Sequence, residues 1–444
     1  MPESNKIKTK DFFNIFVIRY SEIALKSKKV RKKLIKRLIT NIIFHFSENN
    51  INYKKIWYDF GYIYLQPTEN YSISKISDVL NQVLGIYSFS IAKKIMRDFN
   101  VIEKESLRLS GLVLKKGDTF GVRANRVGSF PLKTPEIERT IGSRIMNQFG
   151  ASLELSVDLE NPDHWIKIDV RDQFALIYEE VIHTTWAGNP INLPQGVLSL
   201  MSGHLSDYVS SFLVMKRGFY ILPLILDNNA ENIRLESILS IIHSFKQYCP
   251  IKNMFGIIGN SNQLYSLFEE IPSYKKIVHS NNENLLPYYQ RAVILKLLAY
   301  LIQNSDFLQF INLKIRDKDQ KSNLFSLYHN QQVMIKYESI SEGDPYGSFV
   351  SSAVPIFRAA IGFDYGEKLD ILRKICKDNV NSYRIYADED AIINKHDSQS
   401  LAFLFEKENY LSEYKIFLNA FKEYTFLFEK VQNNYEKFFK LVKI

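Results

Sequence analysis

The sequence predicts a multidomain α/β protein, and three observations carry that prediction. At 444 residues the chain exceeds what one ordinary core supports, and the usual domain size fits about two to four packed units. Its first 96 residues read as strand, helix, strand, strand, helix, strand. Beyond residue 195, short apolar runs alternate with helical stretches, the pattern of a parallel sheet with crossover helices.

Residues 12–19 form an apolar run that predicts a buried strand. In residues 24–46, Leu34, Leu38, Ile42 and Phe46 recur at helical spacing, widened by Ile35, Ile39 and Ile43, so a helix is expected. Residues 55–60 and 62–66 predict two strands split by Gly61, followed by a helix over 73–84 and a strand near 88–94. That order is a ferredoxin-like unit, placed at 1–96. A second unit, 97–183, is expected to run helix, strand (119–126), helix (134–149), strands at 152–158 and 164–171, and a closing segment at 174–183. Gly188, Asn189, Pro190 and Pro194 mark a linker at 184–195. The third unit, 196–400, alternates strands at 196–201, 220–227 and 253–259 with helices at 206–216, 231–247 and 286–303. Phe403, Tyr410, Tyr414, Phe417, Phe421 and Phe428 lie near helical spacing and predict a helical extension over 401–444, packed on that sheet or facing a partner.

Composition narrows the function classes. No apolar run approaches the roughly 20 residues of a bilayer span, so no membrane association is expected. The N-terminus lacks a secretory h-region, which makes a cytoplasmic location the expectation. Cys249 and Cys376 are far apart and read as packed core thiols. With no H-E-x-x-H or similar spacing, no protein-bound metal is expected. The formal net charge is +9, and the first 60 residues hold 14 Lys and Arg against 5 acids, which accounts for the whole excess. Lys26, Lys28, Lys29, Arg31, Lys32, Lys33, Lys36 and Arg37 crowd the start of the first helix, between the positions its core stripe uses. Such a face is a footprint for a polyanion, and equally a solvated helix surface; charge alone leaves both open.

Motifs then point to a family. Arg19-Tyr20-Ser21-Glu22-Ile23-Ala24-Leu25-Lys26 is similar to the R-Y-x-E-x-x-L-K opening of ThiI-type tRNA 4-thiouridine synthetases, the tRNA sulfurtransferases. Leu84-Gly85-Ile86-Tyr87-Ser88-Phe89-Ser90 resembles the close of their ferredoxin-like domain. Phe120-Gly121-Val122-Arg123-Ala124-Asn125-Arg126, Phe130-Pro131, Pro135-Glu136-Ile137, Gly142, Val157-Asp158-Leu159 and Asn161-Pro162-Asp163 resemble their THUMP domain. The resemblance implies a ferredoxin-like domain, a THUMP RNA-binding domain and a C-terminal PP-loop domain of the adenine nucleotide hydrolase-like kind. It also implies that the first two hold the acceptor region of a tRNA. Arg123, Arg126, Lys133 and Arg139 add cations to those of the first helix, and such side chains contact phosphates without reading sequence.

In the PP-loop itself the resemblance breaks. The family's S-G-G-x-D-S loop cradles a nucleotide phosphate at a helix N-terminus. Here Ser202 and Gly203 match, but His204 stands for the second glycine, Ser206 for the aspartate and Asp207 for the last serine. A carboxylate there caps the helix itself and repels a phosphate from the same N–H groups. Residues 314–319 lack the family's G-E-S-x-G-Q, and the family's E-D-C corresponds to Glu389-Asp390-Ala391, so the thiol nucleophile is missing and no catalytic residue is assigned. Arg358, Gly362, Asp364 and Glu367 resemble the R-P-L-I-G-x-D-x-x-E segment, which supports the fold only. The expectation is a tRNA-binding, non-catalytic paralogue acting in or beside thiolation, with no cofactor. The alternative is an active sulfurtransferase that makes 4-thiouridine with ATP and Mg through a rearranged loop. No rhodanese-like segment follows, so any sulfur donor would be a separate protein; a catalytic or sulfur-donor partner and a homodimer both stay open.

Overall fold

The computed structural model describes residues 12–20, 22–59, 61–201, 203, 205–227, 232–272, 274–275, 297, 332–334, 356–357, 363, 365–377, 429–431 and 435–443. The chain separates into two compact units, Met1–Pro190 and Ile191–Ile444.

The first unit opens with β1 (Ile15–Arg19), α1 (Lys28–Glu48), β2 (Tyr53–Asp59), β3 (Tyr62–Pro67), α2 (Ile73–Gln82) and β4 (Ser88–Met96). These strands lie in the order β2-β3-β1-β4, all antiparallel, as a ferredoxin-like unit requires. Next come α3 (Phe99–Val113), β5 (Thr119–Arg126), α4 (Thr134–Ile145), β6 (Ser156–Val157), β7 (His164–Val170), β8 (Phe174–Tyr178) and β9 (Ile182–His183). The sheet does not stop between the two motifs. The first half of β4 pairs with β1 and its second half, from Lys93 to Met96, pairs with β8, so one sheet continues as β8-β7-β5-β6.

Strand alternation sorts side chains onto two faces of this sheet. Phe16, Ile18, Ile63, Leu65 and Phe89 lie in one core with Ile35, Leu38, Ile42 and Phe46 of α1 and Ile76, Val79 and Leu80 of α2. Phe120, Val122, Ile166, Ile168 and Ile177 share a second core with Ile102 and Leu109 of α3 and Ile137 and Ile141 of α4. Each such side chain contributes about 1.5–3 kcal/mol by leaving water. Phe12, expected within a strand, sits in a turn ahead of β1 and is buried in the second core. That placement stitches the two motifs together.

Several expectations are corrected. The first helix begins at Lys28 because Glu22–Leu25 forms a 3-10 turn and Ser27 is extended, with φ −56° and ψ 153°. Ile43 is 36% exposed and so falls off the core stripe. The strand expected at 152–158 shrinks to Ser156–Val157. α4 instead runs on through a π-helical turn, Met146–Gly150, and a helical turn, Ala151–Leu153, before Glu154 at φ +51° reverses the chain. Phe149 and Leu153, one helical repeat apart, both pack on the second core, which favours helix over strand.

Half of the expected linker is bound to the first unit. Thr184 N–H donates to Tyr87 O (3.0 Å), Gly85 N–H to Ala187 O (2.8 Å) and Asn189 Nδ2 to Glu22 Oε2 (2.9 Å). Gly85 has φ +106°, and a Cβ there would lie 2.9 Å from Pro190 N, so only glycine fits this motif position.

The second unit comprises β10 (Asn192–Met201), α5 (Leu205–Lys216), β11 (Phe219–Asp227), α6 (Asn232–Phe245), β12 (Phe255–Asn260), α7 (Ser261–Phe268), β13 (Gln332–Met334), β14 (Ile356–Phe357), α8 (Tyr365–Cys376), α9 (Tyr435–Phe438) and β15 (Phe439–Lys443). Its sheet runs β14-β13-β10-β11-β12-β15 and is parallel except for β15, which pairs antiparallel with β12. The mixed α/β architecture expected from the sequence is therefore present. The end of the chain differs from the helical extension expected there: Phe439–Lys443 is an edge strand, its Phe439 only 2% exposed. The helix expected at 286–303 falls largely outside the described residues. Among the described residues no helix is long and apolar enough to cross a membrane.

Candidate nucleic-acid interface and phosphate loop

The face of α1 away from its core is cationic. Lys26, Lys28, Lys29, Arg31, Lys32, Lys33 and Lys36 are exposed, while Arg37 is partly buried and burial lowers its pKa. No acidic residue occupies the first turn of α1, where the helix dipole disfavours cations. The ion pairs described in this unit lie elsewhere, at Lys54–Glu69, Arg108–Glu105, Lys116–Glu154, Arg144–Glu103 and Arg171–Asp169, with His164 placed between Asp118 and Glu179. Among the described residues no ion pair neutralises this cationic surface.

The four cations of the second motif divide. Arg123 is exposed on β5, its guanidinium carbon 4.4 Å from the ring centroid of Trp165. Lys133 and Arg139 are exposed at the start of α4, where the Glu136 carboxylate accepts the Lys133 backbone N–H (2.6 Å) and caps the helix. Arg126 is otherwise engaged: its Nη1 donates to Phe130 O (3.0 Å) and Leu132 O (3.3 Å), bracing the turn after β5. Four further cations come from separate strands: Arg19, which opens the first family motif, and Lys55, Lys94 and Lys167, which no motif or spacing singles out. The alternation Lys55-Ile56-Trp57 in β2 is the one local hint of the surface they form.

In the second unit, β10 has β11 on one side and β13 on the other, so the order of the parallel sheet reverses at β10. Ligands of open α/β sheets bind outside the carboxyl ends of strands at such a reversal. The loop after Met201 lies there. Gly203 has φ +92°, a conformation that favours glycine. Asp207, in the first turn of α5, is 1% exposed. Behind it, Ser211 Oγ donates to Asp207 O (2.5 Å) and lies 2.7 Å from Ser199 Oγ, tying α5 to β10. Ser206 also falls in the first turn of α5. Ser202, His204, Arg358, Gly362, Asp364, residues 314–319 and Ala391 lie outside the described residues. Glu367 is exposed in the first turn of α8.

Neither cysteine is set up as a nucleophile. Cys249 is buried and its thiol is pushed up to about 12 by burial; Cys376 is buried at the end of α8 and burial raises its pKa too. Among the described residues no cluster of His, Cys, Asp and Glu could hold a metal ion.

Residues 15–90 match the ThiI ferredoxin-like domain and residues 96–180 the THUMP domain. The chain is 29% identical over 244 residues to a probable tRNA sulfurtransferase of Methanosarcina acetivorans, covering 53% of this chain and 57% of that relative's length. Against the protein of the same name from Methanosarcina mazei it is 25% identical over 366 residues, 82% of each chain. Against that of Saccharolobus solfataricus it is 28% identical over 366 residues, 81% of this chain and 86% of the relative. A crystal structure of a 4-thiouridine synthetase–RNA complex with bound ATP superposes with a TM-score of 0.63 over 97% of this chain and all of that one, at 18% identity, which shows a shared fold. A ThiI ferredoxin-like domain followed by a THUMP domain thus opens this chain, which is a relative of the tRNA sulfurtransferases.

Proposed function

We propose that the chain binds tRNA through its first unit and does not itself carry out thiolation, serving as a non-catalytic partner in or beside that chemistry. The observation that carries this reading is Asp207: its carboxylate belongs to a side chain 1% exposed in the first turn of α5, directly after the Gly203 loop. A carboxylate at a helix N-terminus competes with a phosphate for the same dipole and N–H groups. The buried carboxylate at this position weighs against a nucleotide phosphate there, although the glycine turn of such a loop survives. The sequence adds Ala391 where the sulfur-accepting thiol belongs, and the burial of Cys249 and Cys376 leaves no replacement among the described residues. RNA binding is supported by the THUMP match and by the exposed cations of α1, β5 and α4.

The test is a thiolation assay with the purified chain, tRNA, ATP, Mg and a sulfide donor, followed by nucleoside analysis. No 4-thiouridine and no pyrophosphate are expected. ATP-dependent 4-thiouridine would restore the active sulfurtransferase with a rearranged loop.

A further inference from the structure

The helices of the first unit that frame its cores pack on one face of its sheet, and the opposite face carries a set of side chains that the α1 surface does not explain. Register places them together: Trp57 pairs with Tyr64, Tyr64 with Val17, Arg19 with Ser88, Lys94 with Leu176, and Lys167 with both Tyr178 and Arg123. Paired residues share a face, so a single surface runs from β2 across β3, β1, β4, β8 and β7 to β5. Its floor is apolar, made of Ile15, Val17, Tyr64, Ala92, Phe174 and Leu176.

Two groups of cations stand on that floor among aromatic rings. Lys55 Nζ and Lys94 Nζ both approach Trp57, at 5.2 and 5.1 Å from its ring centroid. Arg19 lies 5.3 Å from the Tyr62 ring and 5.4 Å from the Tyr178 ring, and its Nη1 donates to Ser90 Oγ (2.9 Å). Lys94 is depressed first by burial and then by Lys55; Lys167 is depressed first by burial and then by Arg19. These are like charges brought together and partly dehydrated. Among the described residues none of the four forms an ion pair with a carboxylate: Asp169 is taken by Arg171 at 2.9 Å, and Glu179 by His164 at 2.6 Å. Asp59 and Glu180 leave the surface with a positive excess.

We propose that this sheet face, which carries no helix among the described residues, is a binding surface for single-stranded RNA, with Trp57 as its stacking platform and Lys55, Lys94, Arg19 and Lys167 meeting the phosphates. Cations interleaved with partly exposed aromatic rings on a sheet suit a strand whose bases are unstacked, whereas a duplex offers shape and backbone alone. Trp57 is partly exposed and Lys55 is exposed, so both are within reach of a ligand. The inference rests on the chain being an RNA-binding protein and says which form of RNA meets which face.

The experiment uses the full chain, labelled oligo(U) as an unstructured strand, a blunt RNA hairpin as duplex, and whole tRNA. Binding is read by anisotropy and by quenching of tryptophan fluorescence. Wild type is expected to bind oligo(U) with quenching. Lys55→Ala/Lys94→Ala should weaken oligo(U) about tenfold, and Trp57→Phe should remove most of the quenching. Circular dichroism confirms folding, and because Trp57→Phe retains an aromatic ring, its quenching result stands if the lysine variant fails to fold. Oligo(U) binding that is absent, weaker than hairpin binding, or untouched by the Lys55/Lys94 and Trp57 changes overturns the proposal. If tRNA still binds in that case, the RNA-binding reading survives; if wild type binds no RNA at all, that reading falls with it.

Discussion

Arg123 stands over Trp165 with 4.4 Å between its guanidinium carbon and the ring centroid, and Gly121, two residues back on β5, makes room for that indole. An exposed cation–π contact contributes about 0.5–1 kcal/mol and leaves the guanidinium edge free to donate. Replacing Arg123 by Lys keeps the charge but loses the planar fork, so tRNA affinity should fall by a few-fold, with Arg123→Ala weaker still. Filter binding at fixed salt checks the order; equal affinity for all three proteins would remove Arg123 from the interface.

Gly121 is a sharper test of the packing. A Cβ there would lie 2.6 Å from Trp165 Cζ3 and 2.8 Å from the backbone oxygen of Asp158. Gly121→Ala should destabilise the first unit by about 1–3 kcal/mol, seen as a lower Tm. Pairing it with Trp165→Leu should recover part of that loss, and the Asp158 backbone should retain the rest. A Gly121→Ala protein melting like wild type would mean that this strand pair is looser than described.

His164 gives the fold a pH dependence. Its Nδ1 lies 2.6 Å from Glu179 Oε1 and its Nε2 3.2 Å from Asp118 Oδ2. The hydrogen bond to Glu179 is the main cause that raises its pKa, against the opposing effect of burial. A histidine with a raised folded pKa stabilises fully below its unfolded value of about 6.5, and this contribution is lost as pH rises through the folded value. Wild type should therefore lose stability between mildly acidic and mildly alkaline pH relative to His164→Gln. Parallel denaturation curves for the two proteins across that window would contradict the assignment.

The α1 surface predicts a salt effect. Lys32→Ala/Lys36→Ala/Arg37→Ala should weaken tRNA binding and reduce the slope of log K against log salt by about one for each phosphate no longer neutralised. An unchanged slope would exclude this helix from the interface.

Local order is legible in the sequence wherever a period is long and clean. The β-α-β-β-α-β run, the α1 stripe of Leu38, Ile42 and Phe46, and the alternation of β10, α5, β11 and α6 all follow from spacing. Illegible are features that depend on distant partners. Phe12 belongs to the core of the second motif, Asn189 is held by Glu22, and Phe439 closes a sheet edge far back in the chain. Arg126 resembles its cationic neighbours in sequence, yet the Phe130 and Leu132 carbonyls claim it. The cations of the proposed single-strand face sit on β1, β2, β4 and β7, so only the register brings them together.

The central proposal is that the nucleotide loop no longer accepts its anion while the first unit still holds RNA. Isothermal titration of the full chain with Mg-ATP and, separately, with tRNA tests this most directly. Heat of binding for tRNA and none for ATP is the predicted result. ATP binding at micromolar concentrations, abolished by a bulky substitution at Gly203, would contradict it.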